Sequence, residues 1–138
     1  MLIVGYVENF KGSDTLLMLT DRLGDRRLNE LLIQVAGLPI GTTRSLSEFG
    51  DDIRVVAIHQ CVIRVADEGS YVTVTNRPNE RILVWNLSTE NAKDCAAKVR
   101  SLEESEVPAH VYLEDRDGVQ IMVSRDEYPP SVLGQVIT

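Results

Sequence analysis

The sequence predicts one α+β domain, with a mainly antiparallel sheet of about six to eight strands and two helices packed on one face. Its 138 residues fit the usual size of a domain, and 43% of them are hydrophobic, which is enough for one core. Short β-branched runs between Gly and Pro turns predict the strands, and apolar residues three or four positions apart predict the helices. No linker within residues 1–138 is long enough to separate two domains, so we expect a single domain.

The first half of the chain is predicted to contain two strands, a helix and a loop. Residues 2–8 have the pattern of a strand, and the apolar run at residues 16–19 fits either a buried strand or a helical turn, of which we favour the strand. From residue 25 the spacing predicts a helix that ends at residues 37–39. Its apolar stripe consists of Leu28, Leu31, Leu32 and Val35. Residues 40–52 are predicted to be a loop, with a short strand near Leu46.

The second half is predicted to be mostly sheet. The predicted strands cover residues 53–58, 61–66, 71–75 and 81–87, and the last of these is apolar on both faces, which favours a central position. Ser88 or Thr89 can cap a second helix, whose core-facing residues are Ala92, Cys95, Ala96, Val99 and Leu102. A final hairpin of residues 111–114 and 119–124 is expected around the turn at residues 114–118.

The two halves of the chain show a parallel order of elements. A shift of 66 residues lays residues 16–59 over residues 82–125, so that strand, helix and following strands fall in matching positions. Few residues are identical under this shift, and α+β chains produce such matches by coincidence. The sequence therefore leaves open whether the chain contains a strand–helix–strand duplication.

The excess negative charge is concentrated near the C-terminus. The net charge is −7, and residues 101–138 contain only two basic residues, Arg116 and Arg125, against eight acidic ones. These are Glu103, Glu104, Glu106, Glu114, Asp115, Asp117, Asp126 and Glu127. An acidic surface repels phosphate groups, so we expect no nucleic-acid partner and instead a protein partner with a basic surface.

Composition also predicts a cytoplasmic protein without a membrane segment. No stretch approaches the roughly 18 apolar residues of a membrane-spanning helix. The apolar start of the chain is short and has no basic leading segment, so we expect no secretion signal. Cys61 and Cys95 have no second cysteine or histidine at ligand spacing, which predicts reduced, buried thiols, no metal site and no cofactor.

Two histidines are candidates for chemistry. His110, Tyr112 and Glu114 follow one another at strand spacing, so a sheet face could carry them as a binding strip or a weak acid–base site. A partly solvated sheet face without activity explains the same pattern. His59 lies two residues from Cys61, but the alternation of Cys61 with Ile63 and Val65 indicates a buried residue rather than a nucleophile.

Two further patterns suggest binding. Asp115, Asp117 and Gly118 match the start of a calcium loop, but the later ligands of that motif are missing, so we interpret them as a hairpin turn. Tyr128 precedes a proline pair and follows two carboxylates, a combination that suits an interface anchor. A C-terminal segment that simply leaves the last strand is the alternative.

The stretch from Arg81 to Tyr128 contains a strand, a Ser/Thr-capped helix, the run Ala109-His110-Val111-Tyr112-Leu113 and a final strand. This layout resembles that of small bacterial immunity proteins, which neutralise toxins of polymorphic toxin systems. The resemblance covers about a third of the chain and rests on layout more than on identities. It implies a binding protein whose sites are surface patches, and it assigns no functional residue.

We therefore expect a non-enzymatic interaction module that binds a basic partner through its C-terminal acidic face. An immunity-type inhibitor is the more specific form of this hypothesis. The predicted contact residues are Glu103, Glu104, Glu106, His110, Tyr112, Glu114, Asp115, Asp117 and Tyr128. The first alternative is a small enzyme or ligand-binding protein that uses the face around His110. The second is a structural subunit that forms homo-oligomers through an exposed strand edge.

Overall fold

A computed structural model describes residues 1–134 of the chain. Nine strands lie within these residues: β1 Leu2–Phe10, β2 Ser13–Thr20, β3 Thr43–Ser45, β4 Ile53–Val56, β5 Gln60–Ala66, β6 Ser70–Arg77, β7 Glu80–Ser88, β8 Ala109–Tyr112 and β9 Gln120–Arg125. The helices are α1 Arg22–Ala36, α2 Thr89–Glu104 and α3 Ser131–Gly134, with a 3₁₀ helix at Leu46–Phe49. The α+β class is confirmed, and the ambiguous run at residues 16–19 is a strand.

The strands form two mixed sheets, with the orders β4-β1-β2-β9-β8 and β3-β5-β7-β6. Antiparallel pairs join β1 to β2, β3 to β5, β6 to β7 and β8 to β9. Parallel pairs join β1 to β4, β2 to β9 and β5 to β7. The predicted mainly antiparallel single sheet is thus only partly right, because the parallel pairs join strands that are distant in the sequence and leave no local pattern. The prediction that residues 81–87 are central is confirmed, since β7 lies between β5 and β6.

Both long helices begin at a polar cap. Asp21 accepts a hydrogen bond from the Gly24 N–H and so starts α1 three residues before the predicted position. Ser88 accepts a bond from the Asn91 N–H and starts α2, as predicted. The two helices lie side by side and antiparallel: Arg22 at the start of α1 donates to the carbonyl of Ser105 at the end of α2.

One core fills the space between the sheets and the two helices. Its side chains come from the inner faces of both sheets and from the apolar stripes of α1 and α2, so the predicted packing of both helices on one sheet face is only partly matched. Its largest fully buried members include Trp85, Leu16, Leu28, Leu32, Ile63 and Leu83. Burial of one such side chain contributes about 1.5–3 kcal/mol, so this core dominates the stability of the fold.

A smaller apolar cluster covers the outer face of the five-stranded sheet. Residues of the C-terminal segment after β9 close over this face, with Leu133 buried among Ile3, Leu17, Leu19 and Met122. Leu133 fits because β1 has a glycine at position 5. A Cβ there would lie 2.7 Å from Leu133 Cδ2. Within residues 1–134, no helix is both long and apolar enough to cross a membrane.

The two halves repeat each other structurally. In each half a hairpin leads through a capping residue into a long helix, and the second hairpin strand pairs in parallel with a strand that follows the long helix of the other half. The caps, Asp21 and Ser88, are 67 positions apart, not the 66 of the sequence alignment. A shift of 66 lays Leu17, in the cluster on the outer face of its sheet, over Leu83, in the main core. Successive residues of a strand point to opposite faces, so a shift that is wrong by one residue matches side chains of opposite faces. At 67 the buried pairs in the helices are Leu28 with Cys95, Leu32 with Val99 and Val35 with Leu102.

Candidate functional site

The acidic residues predicted to form one face lie at the two ends of α2. Glu103 and Glu104 are in its last turn. Asp115 lies near the other end, where Ser88 caps α2. The N–H of Asp115 donates to the carbonyl of Ser70, and the carbonyl of the neighbouring Gly69 accepts a hydrogen bond from the N–H of Ser88. A helix of 16 residues is roughly 24 Å long, so these carboxylates cannot act as one contiguous face.

At the C-terminal end of α2, arginines offset the negative charge. Glu103 Oε1 is 2.8 Å from Nε of Arg26, and Glu104 Oε1 is 3.3 Å from Nε of Arg100. Glu106 is exposed. Two further guanidinium groups reach the carbonyl of Ser105 there, from Arg22 and Arg125. This end of the helix therefore has little net charge.

The N-terminal end of α2 borders a groove in which carboxylates predominate. Two adjoining cavities of about 440 and 260 Å³ share the walls Ile40, Ala66, Asp67 and Glu68. The first is also lined by Arg64 and Tyr71, and the second by Ser88, Thr89, Glu90 and Asn91. We call this pair of cavities the acidic groove. The turn after β5 and the start of α2 form its sides, and the segment after α1 crosses it.

An exposed apolar side chain sits among the carboxylates of the acidic groove. Ile40 is 65% exposed, so its side chain is available for an apolar contact. Asp67, Glu68 and Glu90 are also exposed, and the one cation among the groove residues is Arg64. The groove thus combines an apolar contact with an excess of negative charge.

The loop after β8 adds to this surface. The pKa of Asp115 is held below its usual range, although burial opposes this. The main cause is a hydrogen bond with the backbone of Ser70, and the contact of Asp115 with Arg116 acts in the same direction. The Arg116 guanidinium lies 4.0 Å from the ring centroid of Tyr71, in a cation–π arrangement that fixes the loop beside the groove. Asp117 is exposed in the same loop. Among the residues that the structure describes, no three His, Cys, Asp or Glu side chains are grouped so that they could hold a metal ion.

The structure places His110 and Tyr112 together, as the strand spacing predicts. Their ring centroids are 5.5 Å apart, with the rings nearly perpendicular. Nδ1 of His110 is 3.0 Å from Oε1 of Glu127, which also accepts a hydrogen bond from the Ser124 hydroxyl. Burial raises the pKa of Glu127, but the contacts with Ser124 and His110 outweigh it, and the pKa is lowered. Glu127 is therefore an anion, and its carboxylate orients the imidazole of His110. The sequence did not indicate this role for Glu127.

Glu114 does not extend the row of His110 and Tyr112. Strand β8 ends at Tyr112, and Oε1 of Glu114 turns back to accept a hydrogen bond from the Ile121 N–H at 2.9 Å. His110 and Tyr112 are exposed, whereas Glu114 is half-buried. The rings of His110 and Tyr112 thus lie on an open, polar part of the surface.

Tyr128 is engaged within the chain. Its ring packs edge-on against Phe10 at 5.5 Å, and the ammonium group of Lys11 lies 5.3 Å from its centroid. Contact with Tyr128 is the main reason that the pKa of Lys11 is raised. Tyr128 helps to attach the C-terminal segment to the sheet, which is a structural use of the side chain predicted as an interface anchor.

His59 and Cys61 do not form a catalytic pair. Cys61 is buried in the core, and burial raises the pKa of its thiol to about 12. His59 is exposed before β5, where its Nε2 is 3.8 Å from Oε1 of Glu80, beside a polar cavity of about 500 Å³. The interpretation of Cys61 as a buried apolar residue is confirmed.

Comparison with known proteins finds no matching family model, no matching curated protein and no matching solved structure. Sequence reasoning missed Asp67, Glu68 and Glu90, because these residues lie outside the acidic stretch at residues 101–138. The net charge of short windows could have marked them as acidic, but not as neighbours of the loop after β8.

Proposed function

We propose that this protein is a non-enzymatic interaction module that binds a basic protein partner in the acidic groove. One observation carries the proposal: exposed carboxylates of Asp67, Glu68 and Glu90 surround the exposed Ile40. A concave surface with an apolar contact and charges of one sign can bury a side chain and attract the opposite charge. The expected ligand is a segment in which an apolar side chain is flanked by Lys or Arg.

The charge distribution supports a recognition role for the groove rather than for the other end of α2. Glu103 and Glu104 are already paired with arginines of the same chain, so a partner would have to displace those contacts. Asp67, Glu68 and Glu90 take part in none of the ion pairs among residues 1–134. Their field is therefore available for long-range steering of a basic partner.

An immunity-type inhibitor is the more specific form of this proposal, and the partner would then be a basic toxin domain. The resemblance in layout between residues 81–128 and small immunity proteins favours an immunity-type inhibitor, since such proteins act through surface patches. The alternative of an enzyme at His110 has less support, because the rings of His110 and Tyr112 are exposed, whereas an active site usually lies in a concave pocket that excludes water.

A binding assay with defined peptides tests the groove. Fluorescence anisotropy would compare a labelled peptide of alternating Lys and Leu with a matched peptide of Glu and Leu. We expect binding of the basic peptide alone, weakened at high salt because exposed charges are screened. The variant Glu68→Lys/Glu90→Lys should lower its affinity by about tenfold or more, since two attractive contacts become repulsive.

The matched control makes the same charge change at the other end of α2. Glu104→Lys/Glu106→Lys alters the net charge equally, so it reports any effect of total charge alone. Both variants change exposed side chains and should keep the circular dichroism of the wild type. Equal loss of affinity in the two variants, or no binding of the basic peptide, would refute the acidic groove as the binding site.

A further inference from the structure

The chain after β9 lies across the outer face of the five-stranded sheet and is attached mainly by its side chains. The N–H of Asp126 donates to the carbonyl of Thr20 on β2. Beyond this bond, the backbone hydrogen bonds of residues 127–134 in the described part of the chain join residues of the segment to one another, as at Val132 and Leu133. We call residues 127–134 the strap. The strap can leave the sheet without breaking any bond of the strand ladders.

Three side chains hold the strap in place. Nδ1 of His110 is 3.0 Å from the carboxylate of Glu127, and the ring of Tyr128 packs edge-on against Phe10 at 5.5 Å. Leu133 is the third, and among residues 127–133 it is the only one that is buried. The closed position of the strap therefore depends chiefly on one apolar contact, which costs far less to break than the fold of the whole domain.

The sheet under the strap is also held from its other side. Leu17, on the outer face, lies between Gly5 of β1 and Met122 of β9 in unbroken ladders. The neighbouring residues of the same strands, such as Leu16 and Val123, belong to the main core. Because successive residues of a strand point to opposite faces, opening of the strap leaves the main core intact.

The strap has a point of rotation and a stiff middle. Asp126, where the chain leaves β9, has a φ of 59°, in the left-handed region that residues other than glycine seldom adopt. Rotation at Asp126 would relieve this conformation. Pro129 and Pro130 restrict two successive φ angles of the strap, so we expect it to move as one body.

We propose that the strap is a lid that opens as a unit from the outer face, and that the uncovered face binds a partner segment with the same side chains. A Cβ at Gly5 would lie 2.7 Å from Cδ2 of Leu133, so the missing side chain there makes room for a leucine. Phe10 and the ammonium group of Lys11 provide the contact for a tyrosine ring. The partner segment therefore carries a tyrosine and, five positions later, a leucine.

Native-state hydrogen exchange tests the opening of the lid. The amides of Val132 and Leu133 should exchange about 100-fold or more faster than those of Leu17 and Met122, because only the strap has to open. Gly5→Ala should speed exchange in the strap by a further factor of about ten, since the new Cβ displaces Leu133. Gly37→Ala, whose Cβ would meet only Gln34 O at 3.5 Å, is the control and should change nothing in the strap. Equal exchange rates in the strap and the sheet would overturn the proposal.

Peptide binding tests the uncovered face. Leu133→Asp should release the strap from a domain that stays folded, because the apolar face does not accept a carboxylate. In fluorescence anisotropy, a labelled peptide of residues 127–134 should bind this variant at least about tenfold more tightly than the wild type. The reason is that the strap of the wild type competes for the face at a high effective concentration.

Two controls accompany the peptide experiment. Ser131→Asp adds the same charge at an exposed position of the strap, so this variant should bind the peptide as weakly as the wild type. The peptide with Leu133→Asp should not bind at all. The outer face shares no residue with the acidic groove, so the result is independent of the proposed function. Global unfolding of the Leu133→Asp protein in circular dichroism, or equal binding of the two peptides, would contradict the lid.

Discussion

Oδ2 of Asp25 lies 3.7 Å from Nε of Arg125 in a buried junction between α1 and β9. Neither atom has a hydrogen bond within the described chain. The other carboxylate oxygen of Asp25 accepts a bond from the Thr20 hydroxyl, and the Arg125 guanidinium donates to the carbonyls of Ser105 and Val107. Burial raises the pKa of Asp25 from 3.8 to about 6, although the bond from Thr20 and the charge of Arg125 oppose the rise.

The raised pKa of Asp25 predicts a pH-dependent stability. The folded protein holds the carboxyl proton of Asp25 more tightly than the unfolded chain does. The stabilisation from this protonated carboxyl is therefore complete below pH 3.8 and is lost as the pH rises through about 6. Asp25→Asn cannot lose a proton there. We expect its free energy of unfolding, relative to the wild type, to rise by ~3 kcal/mol from acid to neutral pH.

Urea denaturation at a series of pH values measures the difference between Asp25→Asn and the wild type. The exposed Asp94 on α2 provides the control, since Asp94→Asn should follow the wild-type curve. A difference for Asp25→Asn that stays constant over this pH interval would contradict the assigned role of burial.

The start of α1 predicts a steric effect at Gly24. The chain at Met1 passes so close that a Cβ on Gly24 would overlap the Met1 carbonyl oxygen. Gly24→Ala should therefore lower the free energy of unfolding by about 1–3 kcal/mol, the usual cost of overpacking. In the matched control Gly37→Ala, the nearest atom would be Gln34 O at 3.5 Å, and we expect a gain of about 0.4–1 kcal/mol. Thermal and urea denaturation of both variants check the prediction, which fails if the two changes have the same sign.

A buried hydrogen bond predicts coupling between Ser70 and Trp85. The indole Nε1–H of Trp85 donates to Oγ of Ser70 at 3.0 Å, and both residues are fully buried. Ser70→Ala leaves the indole N–H without a partner and should cost about 1–3 kcal/mol. When Trp85→Phe has already removed the donor, the same change should cost less, so a double-mutant cycle by urea denaturation should give a coupling energy. Ser101→Ala, on the exposed side of α2, should be nearly neutral, and additive effects at positions 70 and 85 would argue against the bond.

The two thiols are expected to be inert in the folded protein. Burial raises the pKa of Cys61 to about 12 and that of Cys95 to about 11, although a hydrogen bond with Ser70 opposes the rise for Cys95. Since the thiolate is the reactive form, a disulfide reagent at pH near 8 should modify neither residue in native protein and both in denaturant. Fast reaction of one thiol without denaturant would show that its site opens.

Much of the secondary structure could be predicted from the sequence. The alternation of Tyr71, Val72 and Thr73 indicates a strand, and the recurrence of Leu28, Leu32 and Val35 indicates a helix, because side-chain spacing alone decides which face is buried. The start of α1 was placed too late, since its cap is an aspartate whose bond to the Gly24 N–H is visible only once the backbone turns there.

The candidate site was predicted only in part. The pairing of His110 with Tyr112 follows from strand spacing, whereas the return of Glu114 to the Ile121 N–H depends on where β8 ends. Glu127 reaches His110 from another segment of the chain, so no spacing within one strand could indicate this contact.

By itself, the sequence determined the α+β class, most strands, both long helices and the concentration of negative charge after residue 100, because periodicity and charge are local properties. The tertiary structure decided how the strands divide into two mixed sheets and which carboxylates are neighbours. It separated Glu103 from Asp115 by the length of α2, and it brought Asp115 beside the turn that carries Glu68 through a backbone hydrogen bond to Ser70. Such neighbours are set by hydrogen bonds and packing between distant segments, which the order of residues along the chain does not reveal.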